Sequence, residues 1–342
     1  MVTLIIPTIN RSDFIIKYLY YLNIMKFDGQ VLIGDSSDEY HFNLTKNYLN
    51  SSQFSFTYEH INYPNLLHFE VVRNLISYIK YDYVTYINDD DILVVDTLKK
   101  CVGFLEENKD YSAVGGFSVC LLFAENEYER VHDDWHYKVK EIIQNSSIER
   151  FLYLMSEYSV VAFSLSRTSQ FKKRWPVVDE LNNKGFAIEL LPCAITAIQG
   201  KIKMLDDLYV VRQIHDRRII LPEIFDQIID PNFLSSFHYS TEYVANMISK
   251  TEKVDLKTAK EQSYKGWKMY CLDAINNVIQ KKKKKEVSLN LLQRIIAKFS
   301  RKKNLISKLN SKKSIHYKNF NPIYQVITST REELCQLTIE KN

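Results

Sequence analysis

The residues best equipped for chemistry stand together at Asn88-Asp89-Asp90-Asp91, directly after the apolar run Tyr83-Val84-Thr85-Tyr86-Ile87. Three adjacent carboxylates repel one another and cannot sit unpaired in a core, so something positive must meet them. A divalent cation is the economical candidate. Hard oxygen ligands suit Mg2+ or Mn2+, which take one or two protein carboxylates and complete their shell with phosphate and water. The plainer alternative is a solvated acidic turn before a helix. A second carboxylate, Glu189, lies in the apolar stretch Gly185–Pro192. Burial there would raise its pKa toward the range a general base needs near neutrality. Its plainer reading is a helix-N-terminal glutamate favoured by the dipole, and Asp179 and Glu180 compete for the role.

These groups need a frame. Val2–Ile6 is an uninterrupted apolar run and reads as a buried strand. Pro7 ends it, and Thr8-Ile9-Asn10-Arg11-Ser12-Asp13 is a polar loop before a helix from about residue 14 to 24. A second strand, Gln30–Gly34, closes in Asp35-Ser36-Ser37-Asp38. A helix near 43–49, a strand at Phe54–Tyr58, a helix near 69–79 and the Tyr83–Ile87 strand follow. This alternation predicts an α/β, doubly wound, mostly parallel sheet. Its strands end in polar residues that line up on one carboxyl edge, where open α/β sheets bind ligands. No GxGxxG or GxxxxGK[ST] supports a Rossmann site or a P-loop.

LIIPTINR, VLIGDSSD and VVRNLISYIKYDYVTYINDDDI, in that order over residues 1–95, resemble the opening of a GT-A-fold, family-2-like glycosyltransferase. The resemblance implies a nucleotide-sugar donor site. Thr8, Asn10 and Arg11 would border the nucleotide, Asp35 would meet the base, and Arg73 would lie near the diphosphate. Asn88-Asp89-Asp90 would be the DxD-type motif, with Asn88 where the family usually has its first Asp. That departure leaves the metal-binding carboxylate open; Asp90 is favoured, with Asp91 and Asp89 behind it. Glu189 stands where the family places its catalytic base, although the usual Glu-Asp pair is here Ile188-Glu189. The stretch Leu208–Arg218 is similar to the family's closing segment. There His215 would be a metal ligand, and Arg212, Arg217 or Arg218 would neutralise phosphate. The implied activity is metal-dependent, inverting transfer of a sugar, with UDP the nucleotide by analogy, to a glycan or lipid-linked acceptor in surface polysaccharide assembly. A nucleotidyltransferase-type phosphoryl-transfer enzyme and a non-catalytic scaffold are the rival readings.

The totals agree with a folded enzyme of this size. The chain has 342 residues, with 46% hydrophobic and 25% charged residues, the range of ordinary globular proteins. Five scattered cysteines without a CxxC pair argue for a reducing compartment rather than disulfides or zinc. The first residues lack the basic start of a signal peptide, and no apolar run approaches a membrane span. A cytoplasmic protein is expected. The net charge of +4 conceals an asymmetry: residues 281–318 hold fourteen Lys/Arg against one acid, and the rest is acidic by nine. We expect one domain over 1–220 and a helical region over 221–342. That region would contain a basic amphipathic helix with Leu289, Leu291, Leu292, Ile295, Ile296, Phe299, Leu305, Ile306 and Leu309 on its apolar side. Docking on an anionic membrane surface suits such a helix; nucleic acid does not, since no nucleic-acid-binding motif is present. Two further stretches carry weaker expectations. Glu125–Asn145 reads as a charged loop whose His132-Asp133-Asp134-Trp135-His136 only superficially resembles a metal cluster, and Tyr158–Arg167 reads as a strand.

Overall fold

The computed structural model describes all residues except 125–126, 177, 179, 219, 287–304, 331–332 and 334–342. Strand β1 (Val2–Thr8) is buried along its whole length, as a central strand covered on both faces must be. Helix α1 (Ser12–Ile24), β2 (Gln30–Asp35), α2 (Glu39–Ser51), β3 (Thr57–Asn62), α3 (His68–Leu75) and β4 (Tyr83–Tyr86) follow. The expected α/β alternation is therefore present. The third strand lies later than expected because Phe54 and Phe56 pack on each other and on Phe27 instead of entering the ladder.

The chain continues through β5 (Asp91–Leu93), α4 (Val95–Glu107), β6 (Tyr111–Ala124), β7 (Glu127–Tyr137), α5 (Ser147–Ser156), β8 (Leu165–Arg167), α6 (Thr168–Phe171), α7 (Leu191–Gln199) and β9 (Lys201–Ile214). Helices α8 (Ile224–Ile229), α9 (Phe233–Glu252), α10 (Leu256–Glu286), α11 (Leu305–Leu309) and α12 (Tyr317–Thr328) complete it. The sheet order is β3-β2-β1-β4-β8-β6-β9-β5, with β7 on β6. The half β3-β2-β1-β4 is parallel. Beyond β4 the sheet is mixed: β8 pairs antiparallel with β4 and β6, β6 runs parallel to β9, and β5 is antiparallel to β9.

Two cores flank the sheet. One gathers Ile15 and Leu19 of α1, Leu98 and Leu105 of α4, and Phe320, Ile323 and Val326 of α12. The other gathers Val71 of α3, Phe151 of α5, Leu191 and Ile195 of α7, Val244 and Ile248 of α9, and Trp267 of α10. The core does not divide at residue 220, because helices beyond that point pack into both clusters.

Three local expectations are corrected. Residues 127–137 form a strand, not a loop: β7 pairs antiparallel with β6. Within it Asp134 accepts hydrogen bonds from the backbone N–H of Leu305 (2.9 Å) and Ile306 (3.4 Å), which starts α11. Only Leu165–Arg167 of the 158–167 stretch is a strand, and Arg167 donates to the backbone carbonyls of Leu105, Asn108 and Tyr111. The expected basic amphipathic helix falls largely on residues 287–304, outside the described residues. Its described last part is helical, as α11, but Ile306 and Leu309 are buried in the core and so do not present an apolar face to a membrane. Among the described residues, no helix is long and apolar enough to cross a membrane.

Candidate active site

The acidic run occupies the tight passage from β4 into β5, at the carboxyl edge of the parallel half. Asp89, Asp90 and Asp91 are all buried. Each is met by a basic side chain of the chain itself. Arg11, just past the end of β1, spans two of them: Nη2 lies 2.5 Å from Asp89 Oδ1, and Nη1 lies 2.8 Å from Asp90 Oδ2. Thr8 donates its hydroxyl to Asp89 Oδ2 at 2.5 Å. The imidazole Nε2 of His215 lies 3.3 Å from Asp90 Oδ2, and the ring stacks on Phe14 at 4.6 Å. Asp91 faces Arg212 because the two are register partners across β5 and β9, and Arg212 Nε donates to Asp91 Oδ2 at 3.1 Å. Gln213 Nε2 donates to the backbone carbonyl of Asp90 at 2.7 Å.

These contacts sort the three carboxylates. Burial pushes Asp89 and Asp91 up from the ordinary value, and Arg11 and Arg212 respectively only partly pull them back. Burial opposes ionisation of Asp90 too, but His215 and Arg11 outweigh it and hold Asp90 down. Asp90 is thus the carboxylate most favoured in its charged form. Among the described residues, no group of three His, Cys, Asp or Glu side chains is arranged to hold a metal ion alone. Asp90 and His215 do form a two-residue donor pair. That suits a cation which draws its remaining ligands from diphosphate and water.

Beside the cluster is a cavity of about 280 Å3 lined by Thr8, Arg11, Ser36, His68, Lys184 and Ile188, among others. Asn10, in the left-handed region at φ 52°, ties its two loops together. Its N–H donates to Ser37 Oγ at 2.7 Å, and its Oδ1 accepts from the Asp38 N–H at 2.8 Å. Asp35 is fully buried. It accepts from the Ser37 N–H at 2.9 Å and faces His60 Nε2 at 2.9 Å, with His60 stacked on Phe42. Asn88 Oδ1 lies 3.1 Å from His68 Nε2, and burial lowers the His68 pKa to about 4, which keeps the ring neutral. Arg217 grips Asp13 through two contacts of 2.8 and 3.0 Å at the outer rim. Arg73 is not brought to this group. Its guanidinium sits over the Phe69 ring at 4.8 Å, in the field of Glu70 and Tyr239.

No protein-family model matches the sequence, and no curated protein sequence does. Among solved structures, that of S. aureus TarS 1–349 in complex with UDP-GlcNAc superposes with a TM-score of 0.50 at 14% identity, covering 79% of this chain and 72% of that one. The chain has the fold of TarS. A second structure of TarS 1–349 matches with a TM-score of 0.48 at 12% identity over 98% of this chain and 82% of that one. The mannosyltransferase PcManGT from Pyrobaculum calidifontis, in complex with GDP-Man and Mn2+, matches with a TM-score of 0.41 at 10% identity over 95% and 84%. At these identities the likeness to TarS is one of fold.

Glu189 sits in a π-helical turn, Phe186–Leu190, that runs directly into α7. Such turns are frequent at functional sites. The carboxyl is only partly exposed. Burial raises its pKa to about 7, and the Tyr158 hydroxyl and the Arg212 charge hold it from going higher. Arg212 therefore acts on two acids, Asp91 by direct contact and Glu189 through its field. Of the competitors, Glu180 is exposed and Asp179 lies outside the described residues.

The turn is clamped from the helical region. Asn183 is buried, accepts from the Phe186 N–H at 3.3 Å and donates to Asp230 Oδ2 at 2.9 Å. Its own N–H donates to Ser236 Oγ at 3.0 Å. A side chain at Gly185 would run into Gln227 of α8. Sequence reasoning missed Asn183, Tyr158, His68 and Tyr270, whose ring meets Tyr158 edge-on at 5.2 Å. For the tyrosines no signal exists in a chain with 23 of them. Asn183 carried one, a small polar residue three positions before the apolar run at 186.

Proposed function

We propose that the protein is a nucleotide-sugar glycosyltransferase. The observation that carries this reading is the arrangement around one cavity at the carboxyl edge. Thr8 and Arg11, which hold the acidic run, line one side. Lys184 and Ile188, from the segment bearing Glu189, line the other. The donor's nucleoside enters the cavity, and Arg11, Lys184, Arg212 and Arg217 supply positive charge for its diphosphate.

Glu189, with its pKa near 7, takes the proton of the acceptor hydroxyl. The freed oxygen electron pair forms the new bond to the anomeric carbon. The bond to the diphosphate oxygen breaks, and its electron pair leaves with the nucleoside diphosphate. A single displacement of this kind inverts the anomeric centre. Asp90 and His215 are the residues that would hold Mg2+ or Mn2+, which when bound neutralises charge growing on the leaving diphosphate. The TarS complex with UDP-GlcNAc makes a UDP-sugar the first donor to test. A glycan or lipid-linked acceptor, at the cytoplasmic face of an anionic membrane, completes the reading.

The test is a calorimetric and thermal-shift titration with UDP, GDP, CMP and ADP, each with and without Mn2+. Ligand binding to the native state raises the melting temperature by mass action. We expect Mn2+-dependent stabilisation by one nucleoside diphosphate, lost in Asp90→Asn. No response to any nucleotide removes the reading, and release of pyrophosphate during turnover would reassign the chemistry to nucleotidyl transfer.

A further inference from the structure

The cavity beside the acidic run has apolar walls and few side chains able to meet a polar edge. Pro7, Ile9, Leu66, Leu67, Phe69 and Ile188 line it. A flat base suits such walls better than a sugar ring with hydroxyls all round, and a few placed polar groups then fix its orientation. The hydroxyl protons in the wall are already engaged. Thr8 donates to Asp89 at 2.5 Å, and Ser36 donates to the Leu66 carbonyl at 3.1 Å. Arg11 and Lys184 only donate. Asp35, the acceptor that the sequence resemblance sets against the base, is not in the wall. It is fully buried, with Oδ1 taking the Ser37 N–H and Oδ2 facing His60.

His68 is the acceptor side chain that the wall does offer. It occupies the first position of α3, where Glu70 accepts the Leu67 N–H at 2.7 Å and starts the helix. Its ring meets Tyr86 edge-on at 5.9 Å, and its Nε2 lies 3.1 Å from Asn88 Oδ1. Burial holds its pKa near 4, so the ring is neutral and carries one proton. An amide oxygen can only accept, so that proton is on Nε2. Nδ1 is then a bare lone pair. It is buried and has no hydrogen-bond partner among the described residues. A buried acceptor left unpaired is costly, and a ligand that pairs it binds the better for it.

We propose that His68 Nδ1 accepts a hydrogen bond from the ring N–H of a nucleobase in this cavity. It thereby selects a base that has one, uracil or guanine, over cytosine and adenine, whose corresponding ring nitrogens are themselves acceptors. This deepens the glycosyltransferase reading and rests on it. A site built to pair a donor rejects an analogue that lacks the donor, because its own buried acceptor is then stranded. A ribose hydroxyl carries the same donor chemistry, and the experiment separates the two sources.

The experiment is calorimetric titration with UDP, GDP, CDP and ADP in the presence of Mn2+. The better of UDP and GDP is then repeated as its ring-N-methyl and its deoxyribose analogues. We expect the wild type to prefer UDP or GDP over CDP and ADP by roughly tenfold or more, and to lose a similar factor on N-methylation. His68→Phe keeps the ring shape without the nitrogens and should erase most of that preference. His68→Asn, whose amide oxygen stands near the place of Nδ1, should restore much of it. Nitrogen NMR of histidine-labelled wild type should show Nδ1 without a proton, and its resonance should move when the nucleotide binds. A proton on Nδ1 in the free protein overturns the proposal, as does a preference for CDP or ADP. Loss of discrimination in Asp35→Asn but not in His68→Phe gives the base to Asp35 and overturns it too. If His68→Phe changes the penalty for the deoxyribose analogue and not for the methylated base, the nitrogen belongs to the ribose and base selection falls. Nucleotide binding with unchanged discrimination in His68→Phe sinks this proposal alone, whereas no binding of any nucleotide sinks the glycosyltransferase reading with it.

Discussion

A carboxylate buried near Arg212 but titrating near neutrality is a compromise between charge and solvation, and Glu189 is that group. Its raised pKa means the folded protein holds a proton between about pH 4.5 and 7 that the unfolded chain has released. Stability therefore falls as pH rises through that window and stays lower above it. The same proton must be absent for Glu189 to act as a base, so activity rises over the window in which stability falls. Glu189→Gln separates the two. It should lower kcat by at least about a hundredfold, with donor affinity unchanged. It should also gain about 2 kcal/mol in urea unfolding at pH 8, discounted from the full shift for partial exposure, and nothing at pH 4. A wild-type kcat in this variant would remove Glu189 from the role. A kcat that stays flat from pH 5 to 8 in the wild type would do the same.

Elements decide whether these groups meet, and here the sequence was legible unevenly. Strand β1 and the acidic run were readable because an apolar run broken by like charges has few other meanings. Their convergence with Arg11 follows from the parallel pairing of β1 with β4. The expected positive partner of the acids was a cation; the structure supplies Arg11 and Arg212, with the His215 ring beside Asp90, and Arg212 and His215 lie some 120 residues downstream. No local pattern announces such a pairing, since it depends on β5 finding β9 rather than β4. Residues 127–137 were misread because β7 is an edge strand whose Tyr128, Val131, Trp135 and Tyr137 do not alternate regularly with its polar residues. The turn carrying Glu189 was legible as a helix start but not as a π-helix, a geometry imposed by α8 and α9 through Asn183. Asn183→Ala removes one buried and one half-buried hydrogen bond and leaves the Phe186 N–H without its side-chain acceptor. A loss of about 1–3 kcal/mol is expected. The sharper expectation is kinetic: kcat should fall with donor KM unchanged, and the acid limb of its pH profile should move. Equal loss of stability in the buried substitution Val244→Ala, which touches α9 away from the turn, should leave that limb in place. If both variants move it alike, Asn183 is only structural.

At the scale of the whole molecule, the chain after residue 220 does two jobs that a division there would hide. Helices α8–α10 wrap the side of the sheet that carries Glu189. Helix α12 returns to the opposite side and packs on α1, the helix that follows the Arg11 loop. Phe320, Ile323 and Ile327 are fully buried in that contact, and Lys17 of α1 donates to the Ile327 carbonyl at 2.8 Å. A buried lysine paired to a helix carbonyl is poorly replaced by water, so α12 is part of the core rather than a tail. Truncating Phe320 to Ala deletes a fully enclosed ring, and a cavity of that size costs about 3–5 kcal/mol. Because α1 also bears Asp13 and Phe14, which hold Arg217 and His215, the damage should reach the site. We expect Phe320→Ala to unfold at markedly lower urea concentration and to weaken nucleoside-diphosphate binding. A stability change below about 1 kcal/mol would mean that α12 docks loosely and that the core is complete without it.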